Sequence, residues 1–130
     1  MRESKKSRIL IVKDKENKCE SLDGTLDRAG FDCIRATGGE EVLSTAGATP
    51  PDLIILDMES PRARGIDILF SIREHDPLGN TPIMVVSRYG TKQDKLVSYT
   101  HGANRFVVLP EESGSLLDEI SGLLKRRPVA

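Results

Sequence analysis

Two short stretches carry most of the side chains able to do chemistry. The segment "DLIILDMES" passes through four apolar residues, Leu53 to Leu56, and stops on Asp57, with Glu59 two positions on. The segment "RILIVKDKE" does the same and stops on Lys13 and Asp14. Each reads as a strand from the middle of a parallel sheet that surfaces at its carboxyl end. The candidate chemistry is that of a carboxylate, Asp57, flanked by further charges at a strand terminus. The plainer alternatives are an aspartate that forms a turn or caps a helix, and a Lys13-Asp14 pair that is simply an exposed loop.

The elements that must position these residues follow from hydrophobic periodicity. Five apolar runs, "RILIV", "FDCIR", "DLIIL", "PIMVV" and "RFVVL", begin at residues 8, 31, 52, 82 and 105, leaving room for a helix after each. Helical spacing joins Cys19, Leu22, Leu26 and Ala29, then Ile66, Leu69 and Ile72, then Leu116, Ile120 and Leu123. Gly30 suits the C-terminal cap of the first helix; Gly38-Gly39 and Ser113 suit turns or helix starts, and Pro50-Pro51, Pro77 and Pro82 punctuate the approaches to strands. Strands this apolar, alternating with crossover helices, predict an all-parallel doubly wound α/β sheet covered on both faces. In the five-stranded order 2-1-3-4-5 the switch point lies between the first and third strands, where Lys13, Asp14, Asp57 and Glu59 would converge.

Composition narrows the class. The 130 residues, 38% hydrophobic and 30% charged, fit one compact domain. With 19 basic and 20 acidic residues the net charge is −1, which offers no overall field for nucleic acid or an anionic membrane. No apolar run approaches membrane-spanning length and no leader pattern opens the chain, so a cytoplasmic protein is expected. Cys19 and Cys33 lack metal-ligand spacing and fall in apolar patterns, predicting buried reduced thiols. His75 and His101 fall near predicted helix ends and read as surface or capping residues. The basic run Lys125 to Arg127 reads as the solvated end of the last helix rather than a nucleic-acid patch, and three Phe and two Tyr make no interleaved basic-aromatic platform.

The stretch "LDMESPRARG", with Asp57 at the strand end, Pro61 four residues later and Gly65 eight later, resembles the phosphoacceptor loop of response-regulator receiver domains. "RILIVKD" resembles that family's first strand, "PIMVVS" its fourth and "HGANRFVVLP" its fifth. The resemblance covers residues 7–126 as one domain, with 1–6 and 127–130 as flexible ends, and implies the flavodoxin-like (βα)5 fold and a signalling role rather than an enzyme. It implies Asp57 as phosphoacceptor, Mg²⁺ held by Asp14, Asp57 and the Glu59 carbonyl, Ser87 as the hydroxyl that binds a phosphoryl oxygen, and Phe106 as the aromatic switch. The residue types suit that chemistry, because a carboxylate accepts a phosphoryl group when a hard cation neutralises its oxygens. Ser87 read alone is equally a cap for the following turn.

Two departures strike the implied site. Lys13 stands where the family usually has the first of two adjacent acids, and Leu109 stands where it usually has the lysine before the strand-five proline, here Pro110. Asp14, Asp57 and Lys13 leave a net charge of −1 where the usual set carries −2, so attraction for a divalent cation should fall unless Glu59 turns inward. Lys13 is then a substitute cation against Asp57. Arg88 replaces a small residue after the hydroxyl, and Ser60 an apolar one before Pro61.

The expected function is phosphorelay signal transduction, with a histidine kinase or phosphotransfer protein donating to Asp57. The downstream partner is an effector protein or an output domain outside these residues, and a homodimer is a further assembly to test. The alternative is a phosphorylation-independent pseudo-receiver acting as a protein-interaction module, which Leu109 favours. A small-molecule binder at the same crevice is the third reading; against it, "KDKENK" after the first strand lacks the glycines of a phosphate-cradling loop.

Overall fold

The computed structural model describes residues 6–13, 22–58, 65–75, 80–87, 91–109 and 113–125. Strands β1 (Arg8–Lys13), β2 (Asp32–Thr37), β3 (Leu53–Asp57), β4 (Ile83–Ser87) and β5 (Arg105–Val108) alternate with helices α1 (Asp23–Arg28), α2 (Gly39–Ala48), α3 (Ile66–Glu74), α4 (Lys92–Thr100) and α5 (Ser113–Lys125). The strands form one parallel sheet in the order β2-β1-β3-β4-β5. This is the expected flavodoxin-like, doubly wound arrangement.

Side-chain alternation divides the core into two layers. Leu10 and Val12 of β1, Ile54 and Leu56 of β3, and Ile83 and Val85 of β4 pack with Val42 of α2 and Ile68, Leu69 and Ile72 of α3. Their strand neighbours Ile9, Ile11, Leu53, Ile55, Met84 and Val86 pack with Leu26 of α1 and Leu116, Ile120 and Leu123 of α5. All five residues of β3 and of β4 are buried, which explains why those strands read as unbroken apolar runs. At the sheet edges, β2 and β5 keep exposed positions.

Glycine stops α1 and α4 in the same way. Gly30 has φ +94°; its N–H donates to the Asp27 carbonyl and the Phe31 N–H to the Leu26 carbonyl, both at 3.1 Å. Gly102 has φ +111°, with its N–H on Tyr99 O and the Ala103 N–H on Ser98 O. Both are Schellman motifs, which need the left-handed conformation that glycine adopts without strain.

Two readings of the sequence change, and one helix escaped the reading altogether. Ala29 keeps helical spacing yet is exposed, because it is the C-cap of α1 and lies past the last turn that faces the sheet. Cys33 is a free thiol, as expected, but only half-buried, since β2 is an edge strand; Cys19 lies outside the described residues. Helix α4 buries Asp94 and Ser98 rather than an apolar stripe, while Leu96 is 67% exposed. His75 and His101 do occupy the C-cap positions of α3 and α4.

Candidate functional site

Asp57 is the last residue of β3 and is wholly buried, at 0% exposure. Its register partner on β1 is Lys13, and on β4 it is Val86. Lys13 continues the alternation of Ile9 and Ile11, and Asp57 that of Leu53 and Ile55, so both belong to the α1–α5 side of the sheet. The two charged residues therefore end neighbouring strands side by side, at the switch point where β1 has β2 on one flank and β3 on the other.

Ser87 ends β4 and is also wholly buried. It lies one row beyond Val86, the partner of Asp57, and alternation assigns it to the opposite face, with Ile83 and Val85. A group attached to Asp57 meets the Ser87 hydroxyl only above the strand ends, not within the sheet. Phe106 pairs with Val85 and packs, half-buried, on that same α2–α3 side. Phe106 and Ser87 thus share a face, two rows apart on adjacent strands.

Leu109 follows β5, donates its N–H to the Ser87 carbonyl at 2.8 Å, and packs against the α1–α5 layer. It is on the face of Asp57, where it presents hydrocarbon rather than charge. Asp14, Glu59, Ser60, Pro61, Arg88 and Pro110 lie outside the described residues.

The donor chemistry suits a hard cation at one point. Asp57 offers a buried carboxylate whose Oδ2 accepts no hydrogen bond among the described residues, an oxygen of the type that Mg²⁺ takes. The remaining implied ligands, Asp14 and the Glu59 carbonyl, fall outside those residues. Among the described residues no cluster of three or more His, Cys, Asp or Glu forms a metal site. No described helix is long and apolar enough to cross a membrane.

A cleft of about 240 Å³ opens between the start of α2 and α3, lined by Gly38, Gly39, Asp67, Ile68 and Ser71. It contains none of the expected site residues, and its charged lining residue is an acid, which disfavours an anion.

The network that sequence reasoning missed lies around Arg73 on α3. Its Nε and Nη2 donate to the Gly102 carbonyl at 3.0 and 2.8 Å, Nη1 to the Thr81 carbonyl at 2.7 Å, and Nη2 also to Asn104 Oδ1 at 2.8 Å. Asn104 Oδ1 accepts the Ile83 N–H as well, at 2.8 Å. One guanidinium thus ties α3 to the start of β4 and to the α4–β5 turn. Burial lowers its pKa from the usual arginine value. No local pattern signals this contact, because its partners are mostly backbone carbonyls far along the chain.

Comparison with known proteins agrees with this geometry. The response regulator receiver domain family matches residues 9–121, and the chain belongs to that family. It is 30% identical over 123 residues to the alkaline phosphatase synthesis transcriptional regulatory protein PhoP of Bacillus subtilis, covering 95% of this chain and 50% of that protein. It is 31% identical over 120 residues to the transcriptional regulatory protein PrrA of Mycobacterium leprae, covering 92% and 51%. The chain thus spans about half the length of these curated relatives. A crystal structure of a response regulator from Chloroflexus aurantiacus J-10-fl superposes with a TM-score of 0.82 at 30% identity, over 94% of this chain and 100% of that one. Residues 9–121 form a receiver domain of two-component phosphorelay signalling, a signalling module rather than a classical enzyme. Receiver domains typically bind Mg²⁺ and work with a histidine kinase.

Proposed function

We propose that Asp57 accepts a phosphoryl group from a histidine kinase or phosphotransfer protein, and that the added charge is read through Ser87 and Phe106. The observation that supports this most is a fully buried carboxylate ending β3 at the switch point, in register with the charged end of β1.

In the transfer, a carboxylate oxygen of Asp57 forms the new P–O bond as the P–N bond of a protonated phosphoimidazole breaks. The electron pair of that bond stays on nitrogen, so neutral imidazole leaves. Asp57 and Asp14, with the Glu59 carbonyl, are the residues that would hold Mg²⁺, whose chemistry when bound is neutralisation of the phosphoryl oxygens. Ser87 donates to a phosphoryl oxygen over the strand ends. Phe106, on the same face as Ser87, repacks as that hydroxyl moves, and the change reaches the surface of α4, β5 and α5. The domain works in the cytoplasm, and its output passes to an effector protein or to an output domain outside these residues.

The packing of Leu109 favours a second reading, a pseudo-receiver that signals by contact alone. Phosphodonor treatment followed by intact mass measurement separates the two. A gain of one phosphoryl group, absent in Asp57→Asn and accompanied by amide NMR shifts at Ser87 and Phe106, supports the phosphorelay reading. An unmodified mass with unchanged spectra supports the pseudo-receiver.

A further inference from the structure

The position of positive charge at this site is unusual for a reason visible in the register. On the α1–α5 face, the residue after β5 is Leu109, packed against the apolar layer. On the other flank of Asp57, the β1 residue in register is Lys13, partly buried at the strand end. Neighbouring strands lie about 4.8 Å apart, and a lysine stem packs along apolar surface while its ammonium reaches the polar mouth. Three rotatable N–H donors are thus delivered beside Asp57 from the adjacent strand, whereas the Leu109 side chain on the other flank supplies none. A tetrahedral dianion on Asp57 presents its oxygens where those donors can reach.

We infer that Lys13 is the anion-binding cation of the site, so that the pocket holds a phosphoryl group, or its beryllofluoride mimic, with little dependence on a divalent metal. The inference rests on Asp57 being the phosphoacceptor. Lys13 acts by charge and hydrogen bonding alone, with no bond made or broken at its nitrogen. The role is one of direct anion binding, filled from β1 where the residue after β5 is Leu109 and not a lysine.

The test is ¹⁹F NMR titration of the whole chain with beryllium and fluoride, in metal-free buffer and in millimolar Mg²⁺. The expected result is a bound resonance in both, with dissociation constants within about tenfold of each other. Lys13→Met should weaken metal-free binding at least about a hundredfold, whereas Lys13→Arg, which keeps the charge, should retain it. Binding that appears only with Mg²⁺, or a Lys13→Met variant that binds like the parent without metal, overturns the role of Lys13 and leaves Asp57 as acceptor. Absence of binding in both buffers, with Asp57→Asn indistinguishable from the parent, overturns the acceptor assignment as well.

Discussion

The backbone N–H of Phe106 donates to the hydroxyl of Tyr99 at 3.1 Å. Leu109 directs its N–H to Ser87 of β4, so alternation turns the Phe106 N–H to the open edge of the sheet, where α4 closes it. An edge amide left open invites pairing with another chain. Tyr99→Phe removes the acceptor and returns the amide to water. Because the bond is exposed, the expected loss of stability is about 0.5–1 kcal/mol. Amide hydrogen exchange at Phe106 should accelerate while Val107, which points into the sheet, keeps its protection.

Arg73→Lys should cost more than a surface arginine would. A single ammonium cannot span the carbonyls of Gly102 and Thr81 together with Asn104 Oδ1, which the planar guanidinium serves at 2.7 to 3.0 Å. The expected loss is about 1–3 kcal/mol in a urea titration. Its pH dependence has a definite sign. Burial lowers the folded-state pKa below the unfolded value, so over the alkaline window between the two the unfolded chain binds more protons and stability rises with pH. Below that window the guanidinium is charged in both states, and the parent-to-variant difference should be flat across neutral pH.

The two positive-φ helix stops should respond differently to alanine. At Gly30 a Cβ meets nothing within 4 Å, so Gly30→Ala carries only the left-handed penalty, about 1–2 kcal/mol. At Gly102 the same Cβ would lie 2.9 Å from Cγ and Nε of Arg73. Gly102→Ala must therefore also displace the guanidinium from its carbonyls, adding about 1–3 kcal/mol. Parallel denaturant titrations should rank Gly102→Ala clearly below Gly30→Ala.

What could be read from the sequence tracks how local its physical cause is. Strands β1, β3 and β4 were legible because burial on both faces demands apolar residues throughout, and Asp57 was legible because it breaks such a run. The crossover rule narrows the strand order to a few doubly wound arrangements, and the resemblance to receiver domains selects the order 2-1-3-4-5 among them. Helix α4 is harder: its buried positions are Asp94 and Ser98, so no apolar stripe marks its inner face. The convergence of Lys13 and Asp57 was legible because both end apolar runs at the switch point, but their common row and face needed the observed register, because a shift of one residue would have put them on opposite faces. Arg73 was illegible for the opposite reason, since its acceptors at Thr81, Gly102 and Asn104 are 8, 29 and 31 residues away.

Ser98 offers a substitution expected to do no harm. It is wholly buried on the inner face of α4, and its hydroxyl makes no hydrogen bond among the described residues. A buried polar atom without a partner costs the desolvation of that atom. Ser98→Ala removes it with almost no change in volume and has the higher helix propensity. Stability should stay level or rise by up to about 1 kcal/mol, read as a shift in urea midpoint at constant slope.

The charge arrangement around Asp57 can be rewritten by exchanging its two unusual neighbours. Lys13→Asp together with Leu109→Lys moves the ammonium from β1 to the residue after β5 and places a second carboxylate in register with Asp57. The set formed by residues 13, 14, 57 and 109 goes from a net charge of −1 to −2, the value that a divalent cation balances. Repulsion between Lys13 and a metal held by Asp57 disappears at the same time. The double variant should bind Mg²⁺ at least about tenfold more tightly than the parent, by titration of the Asp57 and Ser87 amide signals. Its beryllofluoride binding should become metal-dependent, the reverse of what Lys13 confers. An Mg²⁺ affinity unchanged both here and in Lys13→Asp alone would show that Lys13 does not set the charge seen by the ion. The single Lys13→Asp variant, which removes the ammonium without adding another, thus decides whether the Leu109→Lys side chain had cancelled the gain.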